Sequence, residues 1–418
     1  MTDRPEKVCK LQSGSSSGRL RIAETPGVAI APPQREGSKH MRVGLLGAAL
    51  TVVVSGVAMA QAVNADLANA TITPTLVVAQ TGGLKQNDPR YLTPYGSTPW
   101  DGVAQLYMRN AGGNVAGGCT GTLLDGGRAI LTAAHCVSNG ASLTAFSVDV
   151  RFLGPLGFVT YTVSTQSQIH VRSGYNGSVI NTRDVAVLYL DKVADAAIPR
   201  YGLFQGNPLL AKASLVGFGT SGTGLTGAND GNNFFNNNVI RRQGNNRWEA
   251  TCSTGGSCTA NGAGQALRGV LLDDFDNGLS APASQNGNGM CRFFGMPLAD
   301  PTFGPMLCQT GYGLDEVGLG PGDSGGPGFL GQQIAGVASF LATLGGDPFP
   351  SGGFQSLNGH ACVANYVSPD AGFANSDDCA ANYSFVTAQM AQIPEPATFA
   401  LLATGLGLLG LVARRRRA

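Results

Sequence analysis

The sequence has little charge and almost no net charge. Only 13% of its 418 residues are Asp, Glu, Lys or Arg, and the net charge is +1. Because no long-range field attracts the protein to nucleic acid, that class of partner is excluded from the leading hypotheses. Helix-favouring charge patterns are also scarce, whereas glycine is abundant at 61 residues and interrupts short apolar runs. This pattern predicts an all-β protein with long loops.

The nine cysteines lack the CxxC spacing of a zinc site, so zinc binding is the least expected use of them. Cys9 lies in a polar N-terminal stretch, and the others fall in one central region. Their even number indicates disulfide bonds formed in an oxidising compartment, with buried free thiols as the alternative. Beyond Cys119–Cys136, which is discussed below, proximity alone suggests three pairs: Cys252–Cys258, Cys291–Cys308 and Cys362–Cys379.

Long hydrophobic runs are confined to the two ends of the chain. Residues 41–60 combine a positive start, an apolar run and small residues at Ala58 and Ala60, which is typical of a secretory signal peptide. Because this signal starts at Met41, we interpret residues 1–40 as a misassigned start or a disordered extension; a cytoplasmic extension ahead of a signal anchor is the alternative. Residues 61–95 are predicted to be a linker, and residues 96–392 a folded domain.

Residues 393–418 contain Pro394-Glu395-Pro396, an apolar run and four arginines. The run is marginal in length for a transmembrane segment, and the arginines favour the cytoplasmic side. The tripeptide makes this tail resemble the PEP-CTERM sorting signal of Gram-negative bacteria. The resemblance implies recognition by an exosortase and removal near the motif, whereas an uncleaved membrane anchor is the alternative. We expect an exported protein, in the periplasm, at the cell surface or secreted, anchored to the membrane transiently or permanently.

Two distant motifs predict nucleophilic chemistry. Ser324 lies among glycines in Gly322–Pro327, and His135 lies in Leu131–Cys136. A serine hydroxyl is a weak nucleophile unless a neighbouring base takes its proton. His135 is the best candidate among four histidines, because an apolar strand precedes it and a Cys119–Cys136 bridge would fix it.

A base of this kind also needs a carboxylate to orient it. Asp184 heads a fully apolar strand, where a buried charge is costly unless it is hydrogen-bonded. An ordinary strand-start residue is the alternative for Asp184, as a glycine-rich turn is for the Ser324 motif. Together the motifs favour a serine hydrolase.

From about Pro99 to Gln392 the chain resembles a trypsin/chymotrypsin-type serine protease. Five segments match that family in order: Cys119–Leu124, Leu131–Cys136, Asp184–Leu188, Val216–Thr220 and Gly322–Pro327. The resemblance implies two packed six-stranded antiparallel β-barrels with the active site in the cleft and with long loop insertions, to which we assign residues 245–305. It implies a protease acting on proteins or peptides.

The resemblance also assigns roles to residues of this chain. It implies that His135 is the general base, that Asp184 orients it and that Ser324 is the nucleophile. It further implies that the N–H groups of Gly322 and Ser324 form the oxyanion hole. Ser339 falls where the family has a strand that pairs with the substrate backbone.

The chain departs from the family in its activation and specificity positions. No Ile/Val-Val/Ile-Gly-Gly motif precedes Pro99, so Asp323 needs another partner, or the enzyme folds active without zymogen cleavage. The resemblance places Gly318 at the floor of the primary specificity pocket, where with Leu319 and Phe340 it favours an apolar or small preference. A shifted alignment would instead bring the acidic pair Asp315-Glu316 to this pocket.

Two functional hypotheses follow from the sequence. The first is a secreted serine endopeptidase that works through an acyl-enzyme intermediate. The second is a catalytically silent, protease-like surface or matrix binding protein.

The acidic run Asp273–Gly278 has oxygen atoms suited to Ca²⁺, but it lacks the spaced ligand set of a known calcium loop. A solvated turn is therefore favoured there, and no metal or cofactor is predicted.

Overall fold

The fold is taken from a computed structural model of the chain. The residues that it describes are 63–67, 70–73, 78–79, 88–228, 240–254, 256–260, 268–276, 288–296, 307–344, 351, 353–366 and 379–392. The predicted signal peptide and the predicted sorting tail lie outside these residues. Among the described helices, none is long and apolar enough to cross a membrane.

The described chain is mostly β-structure, which confirms the predicted fold class. The strands are β1 (Val63–Asp66), β2 (Ala70–Thr73), β3 (Val78–Ala79), β4 (Val103–Arg109), β5 (Val115–Leu123), β6 (Ala129–Thr132), β7 (Ser147–Gly154), β8 (Gly157–Val163), β9 (Ile169–Val171), β10 (Ala186–Tyr189), β11 (Lys212–Gly217), β12 (Arg242–Arg247), β13 (Ala250–Cys252), β14 (Ser257–Ala260), β15 (Val270–Asp274), β16 (Val317–Gly318), β17 (Pro327–Leu330), β18 (Gln333–Leu344) and β19 (Leu357–Cys362). The α-helices are α1 (Gly289–Phe293) and α2 (Cys379–Ala391), and 3₁₀ turns span Ala134–Cys136, Gln166–Gln168 and Gly313–Asp315.

Seven strands form the first sheet, in the order β8-β7-β4-β5-β6-β10-β9. Every neighbouring pair is antiparallel. Strand β7 illustrates the pattern, because Val148, Val150 and Phe152 are buried and alternate with partly exposed residues. This period of two places one face of the strand against the core.

Ten strands form the second sheet, in the order β1-β14-β13-β15-β19-β18-β17-β11-β12, with β2 also paired to β18. Both sheets are curled and form half-barrels. Their apolar cores meet where the ring of Trp100 stacks on Phe329 at 4.6 Å. The two-half architecture agrees with the prediction, although the sheets have seven and ten strands instead of six each.

The segment predicted to be a linker, residues 61–95, contains three strands. Strand β1 pairs with β14, β2 with β18, and β3 with β16. An extended segment satisfies its backbone N–H and C=O groups by adding to a sheet edge, and its polar composition gives no sign of that partner. Likewise, residues 245–305 contribute β13, β14 and β15 to the second sheet, where insertions were expected.

All four predicted disulfide pairs are confirmed: Cys119–Cys136, Cys252–Cys258, Cys291–Cys308 and Cys362–Cys379. The second of them closes the β13–β14 hairpin, in which Cys252 is opposite Cys258. The fourth joins β19 to the start of α2. In α2, the Asn382 amide donates hydrogen bonds to the carbonyls of Thr182 and Cys362, at 2.7 and 2.9 Å. This helix is therefore fixed to the segment that leads into β10.

Candidate active site

His135 and Asp184 are brought together by the pairing of two strands. Residues Ala134–Cys136 form a 3₁₀ turn soon after β6, and Asp184 lies two residues before β10. Strand β10 runs antiparallel to β6, with Ala186 opposite Thr132. This register places Asp184 beside the turn that contains His135. The Cys119–Cys136 disulfide attaches the same turn to β5.

Asp184 is fully buried and holds His135 through two hydrogen bonds. The backbone N–H of His135 donates to Asp184 Oδ1 at 2.8 Å, and His135 Nδ1 lies 2.7 Å from Asp184 Oδ2. The Ser339 hydroxyl contacts Oδ2 as well as the Val179 carbonyl. A buried carboxylate is stable only when its oxygens are satisfied in this way. The arrangement favours the imidazole tautomer with the proton on Nδ1, which leaves Nε2 as an acceptor.

Ser324 lies in a loop whose path depends on glycine. Gly322 and Gly325 have φ values of 112° and 82°, which residues with a side chain rarely adopt. At Gly325 a Cβ would also lie 2.0 Å from Thr132 Oγ1 and 2.3 Å from the Thr120 carbonyl. The loop around Ser324 can therefore pack directly against the first sheet only because Gly325 has no side chain.

Thr120 of β5 connects the first sheet to this loop. Its backbone N–H donates to the Ser324 carbonyl at 2.8 Å, and its hydroxyl donates to the Gly322 carbonyl at 2.9 Å. The same hydroxyl accepts a hydrogen bond from the Phe218 N–H at 3.2 Å. In the sequence Thr120 is only the residue after Cys119, and nothing there predicted its hydrogen bonds to the loop around Ser324.

Two of the three predicted catalytic residues, His135 and Ser324, line one open cavity of about 520 Å³. His135, Gly322 and Ser324 line it, together with Cys119, Cys136 and Thr220 among others. His135 Nε2 is buried and has no hydrogen-bond partner within the described part of the chain. Although Cys119, Cys136 and His135 lie close enough to suggest metal ligands, both sulfurs are consumed in the disulfide bond.

Asp323, for which the sequence offered no partner, faces the end of β11 and the residues that follow it. It is buried, and its Oδ1 accepts a hydrogen bond from the Gly219 N–H at 3.2 Å. A Cβ on Gly217 would lie 1.6 Å from the same oxygen, so a glycine is required there. Burial raises the pKa of Asp323 to about 8, although backbone hydrogen bonds and the charge of Arg242 oppose the shift.

The residues predicted to form the specificity pocket are buried, and none of them lines the described cavity. Gly318 packs against Phe275, since a Cβ there would lie 3.1 Å from that ring. The ring of Phe340 fills the space above Gly359, and the Leu319 N–H donates to Asn358 Oδ1 at 2.8 Å. These contacts do not show a substrate pocket at Gly318, Leu319 and Phe340, so the pocket assignment stays a prediction.

The acidic residues near Gly318 are also placed differently from expectation. Asp315 is exposed and forms an ion pair with Arg90 at 3.3 Å. Glu316 is buried, and its carboxylate accepts the N–H groups of Asp276 and Tyr312. The solvated turn predicted for the acidic run is wrong, because Asp273, Asp274 and Asp276 are at most 2% exposed.

Comparison with known proteins bears on this geometry. A family model described as Trypsin matches residues 92–269, and one described as the PEP-CTERM protein-sorting motif matches residues 392–417. The chain contains a trypsin domain. A PEP-CTERM sorting motif follows it, as the tail predicted. The Trypsin match includes His135 and Asp184 and ends before Ser324.

Solved structures similar to this trypsin domain are chymotrypsin-like serine proteases. One is a Glu endopeptidase in complex with MPD, with 17% identity, covering 74% of this chain and 96% of its own, at a TM-score of 0.39. Another is mouse neuropsin, a serine protease expressed in the limbic system of the brain, with 16% identity, covering 72% of this chain and 98% of its own, at a TM-score of 0.39. No curated protein sequence matches the chain.

Proposed function

We propose that this protein is an exported serine endopeptidase in which Ser324, His135 and Asp184 form the catalytic triad. The observation that carries the proposal is the hydrogen-bonded Asp184–His135 pair, in which Nε2 has no hydrogen-bond partner among the described residues, together with the cavity that both His135 and Ser324 line. A base held by a buried carboxylate next to a serine is the arrangement that activates a hydroxyl nucleophile.

In the proposed reaction, Ser324 Oγ attacks the carbonyl carbon of a peptide bond while its proton passes to His135 Nε2. The tetrahedral intermediate collapses as that proton is delivered to the leaving amine, which leaves an acyl-enzyme. Water then attacks the ester with His135 as base, and the acid product departs with Ser324 regenerated. Asp184 stays ionised throughout and stabilises the imidazolium.

The oxyanion is assigned to the backbone N–H groups of Gly322 and Ser324, both of which border the cavity. The φ of 112° at Gly322 supports this role, because a glycine lets the backbone approach the substrate closely. Removal of one donor from such a pair typically costs about 2.7 to 4 kcal/mol of transition-state stabilisation.

We further propose an apolar or small preference at the primary pocket, formed by Gly318, Leu319 and Phe340, with Ser339 on the strand that pairs with the substrate backbone. Asp315 and Glu316 do not support a basic preference, since Asp315 is paired with Arg90 and the Glu316 carboxylate already accepts the N–H groups of Asp276 and Tyr312. The substrates are proteins or peptides. Export and surface sorting follow from the PEP-CTERM motif, with an exosortase as the processing partner.

The test is labelling of the purified protein with a fluorophosphonate probe, which reacts with an activated serine. We expect stoichiometric labelling of the unmutated protein and none of Ser324→Ala. Ser167→Ala, an exposed serine on another turn, is the matched control and should label normally. Labelling that persists in Ser324→Ala would overturn the assignment. Absence of labelling in the folded, unmutated protein would favour the silent surface-protein hypothesis.

A further inference from the structure

One edge of strand β18 runs past the loop around Ser324. The opposite edge is taken by β19, which pairs with residues 336–342. On the edge away from β19, the Ala338 N–H donates to the Gly326 carbonyl at 2.8 Å, and the Ala338 carbonyl accepts the Gly325 N–H at 2.7 Å. This edge of β18 therefore begins at the candidate active site.

Strand β2 is paired to β18 a short distance further along this edge. It runs antiparallel to β18, and Thr73 is opposite Leu341 at the end nearer the loop around Ser324. Since Leu341 also pairs with Asn358 of β19, β2 occupies the other edge, which is the one that carries the loop. A strand rises about 3.3 Å per residue, so Leu341 lies at most about 10 Å along β18 from Ala338.

Ser339 and Phe340 lie between these two contacts and pair with no described strand on this edge. Ser339 belongs to the strand predicted to pair with the substrate backbone. An extended peptide that adds to a sheet edge pairs its backbone with the strand, residue by residue. A short peptide therefore finds the edge free at Ser339 and Phe340, whereas a longer one needs the part that β2 occupies.

The same N-terminal segment also contacts the predicted specificity pocket. Strand β3 pairs with β16, and Val78 is opposite Gly318, the residue predicted at the pocket floor. By contrast, the open cavity of about 520 Å³ has no residue of β1, β2 or β3 in its described lining, which includes His135 and Ser324. The segment thus covers the predicted substrate strand and leaves the proposed nucleophile accessible.

The segment is held on the second sheet at two further places. Strand β1 pairs with β14 over Val63–Asp66, and the buried Leu67 belongs to the same apolar cluster as Phe340. A peptide tethered close to its site competes there at an effective concentration of about millimolar. A free peptide must therefore displace β2 before it can pair along the whole edge of β18.

Building on the proposed function, we propose that residues 63–79 are an intramolecular inhibitor, in which β2 occupies the edge of β18 that extended substrates need. Small reagents reach Ser324 while the segment is in place, and long peptides bind only after β2 has left. The competing explanation is that β2 is a permanent edge strand, which would protect the sheet from pairing with other chains.

The first experiment measures binding without catalysis, in the full chain carrying Ser324→Ala. The probe is a fluorescent synthetic peptide with the sequence of residues 68–77, and fluorescence anisotropy gives its Kd. Thr71→Pro with Ile72→Pro removes one N–H that faces β18, because successive N–H groups of a strand point to opposite edges. We expect this double variant to bind the peptide at least tenfold more tightly than the chain with Ser324→Ala alone.

Thr81→Pro with Gly82→Pro, in the same background, is the matched control, because both residues follow the three strands. It should bind the peptide as weakly as the chain with Ser324→Ala alone. A second peptide that carries the two prolines of the β2 variant should bind none of these proteins. Thr73→Pro changes only the end of β2 and should give a smaller gain in the same direction, which guards against misfolding of the double variant.

The second experiment uses chains that retain Ser324 and two thiobenzyl esters, one of blocked alanine and one of the same alanine preceded by four others. Thr71→Pro with Ile72→Pro should lower KM at least tenfold for the long ester. KM for the short ester and the rate of fluorophosphonate labelling should not change. A strand with only a structural role would alter both esters alike.

Equal peptide binding by the β2 variant, the control and the chain with Ser324→Ala alone would show that β2 does not compete with peptides, and the proposal would be abandoned. An equal change for both esters would lead to the same conclusion. Because the binding experiment needs no catalysis, its failure is distinct from failure of the proposed function. A chain that shows the binding difference but is not labelled by the fluorophosphonate would contradict the proposed function alone.

Discussion

The two sheets of this protein bury charge very differently. In the segment from β4 to β10, Asp184 is the one fully buried charged side chain among the described residues. The second sheet and its connections bury many: Arg241, Arg242, Glu249, Asp273, Asp274, Asp276, Glu316, Asp323 and His360. The first sheet is thus an apolar frame around Asp184 and its partner His135. The second sheet and its connections hold Ser324, the proposed nucleophile, beside many buried charged groups.

Because the buried charges lie mainly in the second sheet and its connections, the stability of that half should depend on pH and salt more than the stability of the first. An apolar core depends little on pH or ions, whereas buried carboxylates change stability whenever their protonation or metal occupancy changes. Arg241 illustrates the second type, because it is fully buried and its Nη2 pairs with Asp101 Oδ1 at 2.5 Å. We therefore expect the second sheet to respond to conditions and the first to remain unaffected.

The largest expected effect concerns the one buried charge of the first sheet. Asp184→Asn should lower kcat about 10⁴-fold, because an amide no longer holds the required tautomer of His135 or stabilises its charged form. Peptide hydrolysis at saturating substrate measures it. Asp195→Asn, an exposed acid of the same half, is the control and should retain full activity. A loss of less than tenfold would mean that Asp184 is not the orienting carboxylate.

A second prediction compares disulfides of the two halves. Removing Cys119–Cys136 by double substitution to Ala should cost about 3 kcal/mol of unfolding free energy, since it links residues 17 apart. Removing Cys252–Cys258, whose cysteines are 6 apart, should cost about 2 kcal/mol. Urea denaturation of both double variants measures the difference. A larger loss from the hairpin disulfide would show that loop length does not control these contributions.

A third prediction concerns the pH dependence of stability at Asp323. Its pKa is raised to about 8 in the folded protein from an ordinary value of 3.8. The folded state therefore binds the Asp323 proton more tightly than the unfolded state does. The stability that this proton contributes to the folded state is lost as pH rises from about 4 to about 8. Asp323→Asn should remove that decrease and be the more stable protein at pH 8. The acceptor for the Gly219 N–H is retained in this variant.

The measurement is the free energy of unfolding from pH 4 to pH 9 at fixed ionic strength, taken as the difference between Asp323→Asn and the unmutated protein, so that the titration of other buried carboxyl groups cancels. Asp195→Asn serves again as the control and should follow the unmutated protein. Identical pH profiles for Asp323→Asn and the unmutated protein would contradict the prediction.

Features set by residues close in the chain were predictable from the sequence. The four disulfides join cysteines that are sequence neighbours among the eight central ones, and the contact between His135 and Asp184 follows from adjacent strands with recognisable apolar patterns. The sorting motif is a contiguous pattern. In each case the partner residues are identifiable without knowing the path of the rest of the chain.

Features built from distant segments were not predictable. Asp323 meets the backbone of Gly219, and the buried carboxylates of Asp274, Asp276 and Glu316 come from two separate segments of the chain. The acidic run gave a solvated turn as the favoured interpretation because composition does not reveal burial. The strands within residues 61–95 were missed for a related reason, since edge pairing uses backbone groups that every residue has.

Thr120 has a consequence for the order in which this protein matures. It belongs to the first sheet, yet it fixes the Gly322 and Ser324 carbonyls of a loop that comes much later in the chain. In a chain that is made or exported from its N-terminus, β5 with Thr120 is therefore present before the loop Gly322–Ser324 that it holds in place. We expect incomplete chains to have no working active site, so that neither they nor the export machinery are exposed to premature cleavage.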